Sequence, residues 1–200
     1  MNKVQRKKLK EAIEAIYKLS SETNSGNLLH NYKWREILQL EEVSSFYSNI
    51  KSVPGLHGSD ATSDNFSSIE KKSGTSSKLK SGLYSTSVSF EFDKQNDSIR
   101  RKQTLAYDSF IFSVIAEDTG KILLTAIAQK PKTIENINKI LLSRQKDFLK
   151  ELKKKQKQGK RIPRDSIKLV LPELFKIKDL IWVKNGKKMT IKKAKSLFKI

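Results

Sequence analysis

Asp60, Glu70 and Lys72 are the residues whose types and spacing fit one chemical task. Hydrolysing a phosphodiester needs a cation to neutralise developing charge and an activated water, both held in line with phosphorus. Hard cations such as Mg²⁺ prefer carboxylate oxygens, and a lysine nearby can orient or deprotonate the water. Residues 58–73 read as a hairpin turning at Asp64-Asn65-Phe66, which sets Asp60 opposite Glu70. Side chains alternate along a strand, so Glu70 and Lys72 share one face and Lys71 takes the other. Directly paired residues point the same way, and Asp60 then joins them. Spacing alone leaves two readings open: a metal site of two carboxylates and one lysine, or a solvated hairpin with scattered charges. A second Glu-x-Lys, Glu151-Leu152-Lys153, falls in a helical pattern and reads as its surface.

The surrounding pattern is that of an α/β domain. Apolar residues recur at helical spacing over about Lys3–Leu19 and again over Leu28–Tyr47, where Trp34, Ile37, Leu38, Val43 and Phe46 lie on one side. Pro54-Gly55 marks a turn. Alternation over Ser85–Phe92 puts Val88, Phe90 and Phe92 on one face of a strand. Two more strands, Phe110–Ala116 and Lys121–Gln129, join through Glu117-Asp118-Thr119-Gly120. Thr133 is placed to cap a helix running to about Lys157. One or two short elements follow around Ile167–Phe175 and Leu180–Val183, then a turn at Asn185-Gly186 and a short basic helix. A mixed central β-sheet is expected to carry the 58–73 hairpin and the strands at 85–92, 110–116 and 121–129, flanked by helices. Residues 1–160 are expected to form this domain, and 161–200 a small basic extension.

The charge narrows the partner. Lys and Arg number 41 against 21 Asp and Glu, for a net charge of +20. Of that excess, 17 charges lie between Lys130 and Ile200, where 23 basic residues face 6 acidic ones. A tail this basic is expected to attract polyanions. The absence of cysteine excludes disulfides, thiolate zinc sites and a cysteine nucleophile, and it is compatible with a reducing cytoplasm. No apolar run is long enough to span a membrane, so no membrane partner is expected.

Val53-Pro54-Gly55-Leu56-His57-Gly58-Ser59-Asp60-Ala61-Thr62, continuing to Ile69-Glu70-Lys71-Lys72-Ser73, resembles the active-site hairpin of PvuII-like type II restriction endonucleases, in the PD-(D/E)xK nuclease superfamily. The Pro-Gly turn, the Gly-x-Asp-Ala segment and the Glu-x-Lys-Ser end match in order and spacing over about twenty residues. The resemblance extends loosely to about Ala128 and leaves the basic tail unexplained. It implies a restriction-endonuclease-like core, a homodimer and Mg²⁺-dependent, sequence-specific double-strand cleavage of DNA. It also implies Asp60 and Glu70 as metal ligands and Lys72 as the water-positioning lysine. His57 stands where the family carries a glutamate, and no histidine follows it, although the family reads bases with downstream histidines.

Other residues read two ways. His57 is a turn histidine or a contact to the attacking water or a phosphate. Glu41 and Glu42 are solvent-facing or send a carboxylate toward the metals. Tyr84, Ser85, Thr86 and Ser87 can read base edges through hydroxyls, or form a polar strand face. Arg100, Arg101 and Lys102 meet phosphates, or form a solvated turn. Asp108 with Gln129 and Lys130 is a rival catalytic grouping, although Gln is a poorer ligand than Glu. Rival functions are a non-catalytic basic nucleic-acid-binding protein and a repair or nicking nuclease of the same superfamily. The Lys153–Arg164 run suits phosphates better than base edges. Replacing several of its lysines with glutamine is expected to flatten the dependence of DNA affinity on salt, measured by fluorescence anisotropy; an unchanged slope would remove this segment from the DNA contact.

Overall fold

The computed structural model describes residues 32–53, 59–160 and 165–199, together with residues 7, 8, 11, 12, 14 and 15, which are helical. In chain order the elements are α1 (Tyr32–Val43), β1 (Lys51–Ser52), β2 (Ala61–Ser63), β3 (Phe66–Ser76), β4 (Ser89–Asp93), α2 (Ser98–Thr104), β5 (Ser109–Ala116) and β6 (Ile122–Ala128). They continue with α3 (Pro131–Lys157), β7 (Ser166–Val170), α4 (Leu171–Leu174), β8 (Ile181–Lys184), β9 (Lys187–Met189) and α5 (Ile191–Lys195). The fold is mixed α/β. A seven-stranded sheet has the order β1-β2-β3-β5-β6-β8-β9. Within it β3 and β5 are parallel and the other neighbours antiparallel.

Strand β5 lies at the centre because all eight of its residues can be buried. Its two serines are hydrogen-bonded: Ser109 Oγ donates to the Ala128 carbonyl at 2.7 Å, and Ser113 Oγ meets Thr125 Oγ1 at 3.1 Å. That satisfies polar groups which would otherwise destabilise the core. Each face of the sheet has its own core. Val43 and Tyr47, from α1 and the turn after it, pack on Ala61, Ile69, Ile111, Ile127 and Val183. On the other face Phe110, Phe112 and Val114 meet Phe90 and Phe92 of β4, Ile137 and Leu141 of α3, and Ile167 and Leu169 of β7.

Three expectations need correction. Strand β4 begins at Ser89 and leaves the central sheet, pairing with β7 as a separate two-stranded ribbon. Ser85 Oγ accepts the Ser87 N–H at 3.1 Å, so the chain turns where alternation alone reads as extended. Helix α3 starts at Pro131, with Lys130 as its N-cap, and Thr133 is buried inside the first turn. A proline has φ preset for the first helical position, which outweighs a threonine two residues later. Residues beyond 160 are not an appendage: β8 and β9 complete the central sheet, β7 completes the ribbon, and Leu174, Phe175 and Trp182 enter the main core. The Asn185-Gly186 turn between β8 and β9 has φ of 52° and 69°, the paired left-handed values of a tight hairpin.

Gly74 lets the ribbon approach. A Cβ there would lie 2.6 Å from Val88 Cγ1 and 2.7 Å from the Ser89 carbonyl oxygen, and the latter is backbone that cannot swing aside. Gly74→Ala should therefore push β4 off β3 and destabilise the fold by about 1–3 kcal/mol in urea denaturation, the usual cost of overpacking. An alanine variant as stable as the wild type would show that the ribbon can shift freely.

Candidate active site

The hairpin register places the two carboxylates. Ala61 pairs with Ile69 and Ser63 with Phe66, with a register shift between them, so the turn is Asp64-Asn65. The Asp60 N–H donates to the Ile69 carbonyl at 2.9 Å. One step on, Asp60 Oδ2 accepts the Lys71 N–H at 2.7 Å. The aspartate thus takes the place of the next ladder carbonyl where β2 runs out, which fixes its carboxylate against the sheet edge.

Glu70 and Lys72 leave β3 on the face covered by the ribbon. Lys72 Nζ lies 2.6 Å from Glu70 Oε1 and 5.1 Å from the centre of the Phe92 ring. Glu70 is only 5% exposed, and burial pushes its pKa from 4.5 to about 7. Lys72 and a hydrogen bond from Tyr107 pull it down, while the charge of Asp60 pushes it further up. Burial works against the charge of Lys72 as well, but Glu70, Asp60 and Asp93 more than compensate, and its pKa rises above the ordinary lysine value. Lys72 is therefore an ammonium at neutral pH: a donor and a positive charge, with no free lone pair to accept a proton.

Asp60 and Lys72 border an open cleft of about 470 Å³, and Glu70 is buried against Lys72. One wall is Asp60 with residues 71–75 of β3; the other is Ser87, Ser89, Glu91 and Asp93. Among the described residues no group of three or more His, Asp or Glu is arranged to hold a metal. The donor set is two carboxylates, a number that suits Mg²⁺, whose remaining positions go to water and substrate phosphate. The set fits such an ion electrostatically: Glu70 is buried beside the charge of Asp60, and a divalent cation would relieve both effects.

Not every expected site residue arrives here. Glu42 turns to the β8–β9 hairpin, where the N–H groups of Gly186 and Asn185 contact its carboxylate, and its Oε1 is buried without a partner. Glu41, Glu42 and Tyr84 line a separate pocket of about 570 Å³. Tyr84 is held through its backbone by Leu197 and Lys199, and of the stretch 84–87 only Ser87 reaches the cleft. Arg101 Nη1 donates to the Gln95 and Asn96 carbonyls at 2.6 and 3.0 Å, which ties the β4–α2 loop. Arg100 bonds Gln103 and acts electrostatically on Tyr107 beside the site, while Lys102 is exposed. The rival grouping is dispersed: Asp108 accepts from Ser67 and Ser68, Gln129 donates to Phe46 O, and Lys130 pairs with Asp179. His57 lies outside the described residues. Sequence reasoning missed Tyr107, Glu91 and Asp93 as neighbours of the carboxylates. The clue for Glu91 and Asp93 was their alternation with Phe90 and Phe92.

Among known proteins, no family model and no curated protein matches this chain.

Both Glu42 and Glu70 hold their protons in the folded chain to about pH 7. The unfolded chain releases them near pH 4.5, so between these values it binds fewer protons and stability falls as pH rises. Glu42→Gln should remove its share of that fall, on the order of 2 kcal/mol, in urea unfolding compared at pH 4.5 and 7.5. A fall of wild-type size in the variant would show that Glu42 titrates normally.

Proposed function

We propose that this chain is a Mg²⁺-dependent endonuclease that cuts double-stranded DNA at specific sequences, in the manner of type II restriction enzymes, with Asp60, Glu70 and Lys72 as its active site. The observation that carries this reading is the Lys72 ammonium, 2.6 Å from the buried Glu70 carboxylate and sharing an open cleft with Asp60, whose charge acts on Glu70. The net charge of +20 supports a polyanionic substrate. Helices near the N-terminus are proposed to join two copies, because cutting both strands is simplest with two identical sites.

Asp60 and Glu70 would hold the ion, which supplies charge neutralisation at the phosphoryl oxygens and a water of lowered pKa. The Lys71 N–H keeps the Asp60 carboxylate from turning away. Lys72, already protonated, orients the attacking water by hydrogen bonding and adds positive charge where the phosphorane forms. The Phe92 ring under its ammonium and the buried Glu70 hold that charge at the cleft edge.

Incubation of plasmid DNA with the protein and Mg²⁺ should give discrete bands, and EDTA should abolish them. Asp60→Ala, Glu70→Ala and Lys72→Ala should each abolish cleavage with the fold intact, and the double variants should be no worse than the singles. Tight, salt-sensitive binding without cleavage under Mg²⁺ or Mn²⁺ would identify a non-catalytic nucleic-acid-binding protein instead.

A further inference from the structure

We infer that Tyr107 is a positioning residue for the proposed cation site: its hydroxyl, hydrogen-bonded to the Glu70 carboxylate, fixes the direction in which Glu70 faces. The inference rests on the metal-site reading of Asp60 and Glu70.

Glu70 lies between two demands. Lys72 Nζ grips it at 2.6 Å, while a shared cation would require it to face Asp60. A lysine ammonium is a compact point charge whose attraction to a carboxylate is met by either oxygen over a range of directions. Lys72 therefore compensates the charge of Glu70 without setting its orientation.

Tyr107 can set it, because its ring and its chain segment are each held. It meets Phe110 edge-on, with centroids 5.8 Å apart and planes at 76°, and Phe110 in turn stacks on Phe112 at 5.7 Å. The next residue, Asp108, takes the backbone N–H groups of Ser67 and Ser68, each at 3.1 Å, and the Ser67 hydroxyl at 2.5 Å. Those serines begin the strand that carries Glu70. The segment bearing the hydroxyl is thus tied to the segment bearing the carboxylate. A tyrosine hydroxyl is protonated at neutral pH, so the group can donate to the carboxylate. A donor on one lone pair leaves others for a cation, as outer partners of metal ligands commonly do.

The test measures metal binding directly. Mn²⁺ is titrated into the full chain and followed by electron paramagnetic resonance. Four proteins are compared: wild type, Glu70→Gln, Tyr107→Phe and Tyr47→Phe. The last is a structural control, since Tyr47 makes a buried 2.6 Å bond to Ser109 and packs in the core on the α1 face of the sheet. Tyr107→Phe keeps the ring on Phe110 and deletes only the hydroxyl. Wild type should bind, Glu70→Gln should lose binding, and Tyr107→Phe should bind about ten- to a hundredfold more weakly with an unchanged circular dichroism spectrum. Tyr47→Phe should bind like wild type. Wild-type affinity in Tyr107→Phe alongside loss in Glu70→Gln overturns the positioning role and leaves the cation site standing. Equal weakening in both tyrosine variants overturns it as general loosening. No saturable binding by wild type overturns both the role and the metal-site reading.

Discussion

The parallel pairing of β3 with β5, running from Ile69 beside Ser109 to Ser76 beside Ala116, is the constraint on which this structure depends. Antiparallel neighbours can be joined by a two-residue turn, but parallel ones need a crossover of a dozen residues or more. Here the crossover occupies residues 77–108, and it carries β4, α2 and the Tyr107–Asp108 pair. Phe92, Asp93 and Tyr107, which act on the Glu70 and Lys72 side chains from outside β3 and its hairpin, therefore all belong to one connection. Had β3 and β5 run antiparallel with a tight turn, the two carboxylates would sit on an uncovered strand.

That covering sets the electrostatics. Phe90 and Phe92 bury the inner side of the ribbon, and their alternation sends Ser89, Glu91 and Asp93 to the cleft. The aromatic layer desolvates Glu70 enough to raise its pKa, while Lys72 remains charged because acidic groups surround it. The pair is thus poised with the positive partner fully ionised and the negative partner near its midpoint. In a free lysine-carboxylate pair in water the carboxylate would instead be fully ionised at neutral pH.

The sequence made the local relationships legible. Asp60 beside Glu70, the shared face of Glu70 and Lys72, and the hairpin between β5 and β6 follow from period-two alternation and turn residues. Three kinds of information were not legible. Pro131 and Thr133 both signal a helix start, and only steric competition decides between them. Strand β4 alternates like a sheet member, yet its partner lies in β7, and nothing in either segment names the other. Tyr107 reads as the residue before a buried strand, since its bond to Glu70 spans 37 positions of chain and depends on how α2 ends. The basic tail misled through composition: Lys184, Lys187 and Lys188 lie within the strands that close the sheet, so a charge-rich segment also contains buried Trp182 and Val183.

The pairing of β4 with β7 has a consequence for synthesis on the ribosome. Ser89 finds its partner only at Val170, and Asp93 finds its own at Ser166. Until those residues have emerged, the outer wall of the cleft has no second strand, and a lone strand of five residues is not stable in water. The hairpin with Asp60, Glu70 and Lys72 leaves the ribosome much earlier, but β8 and β9 have yet to close the sheet behind it. A nascent chain therefore carries all three residues without the assembled cleft until β7, β8 and β9 have emerged.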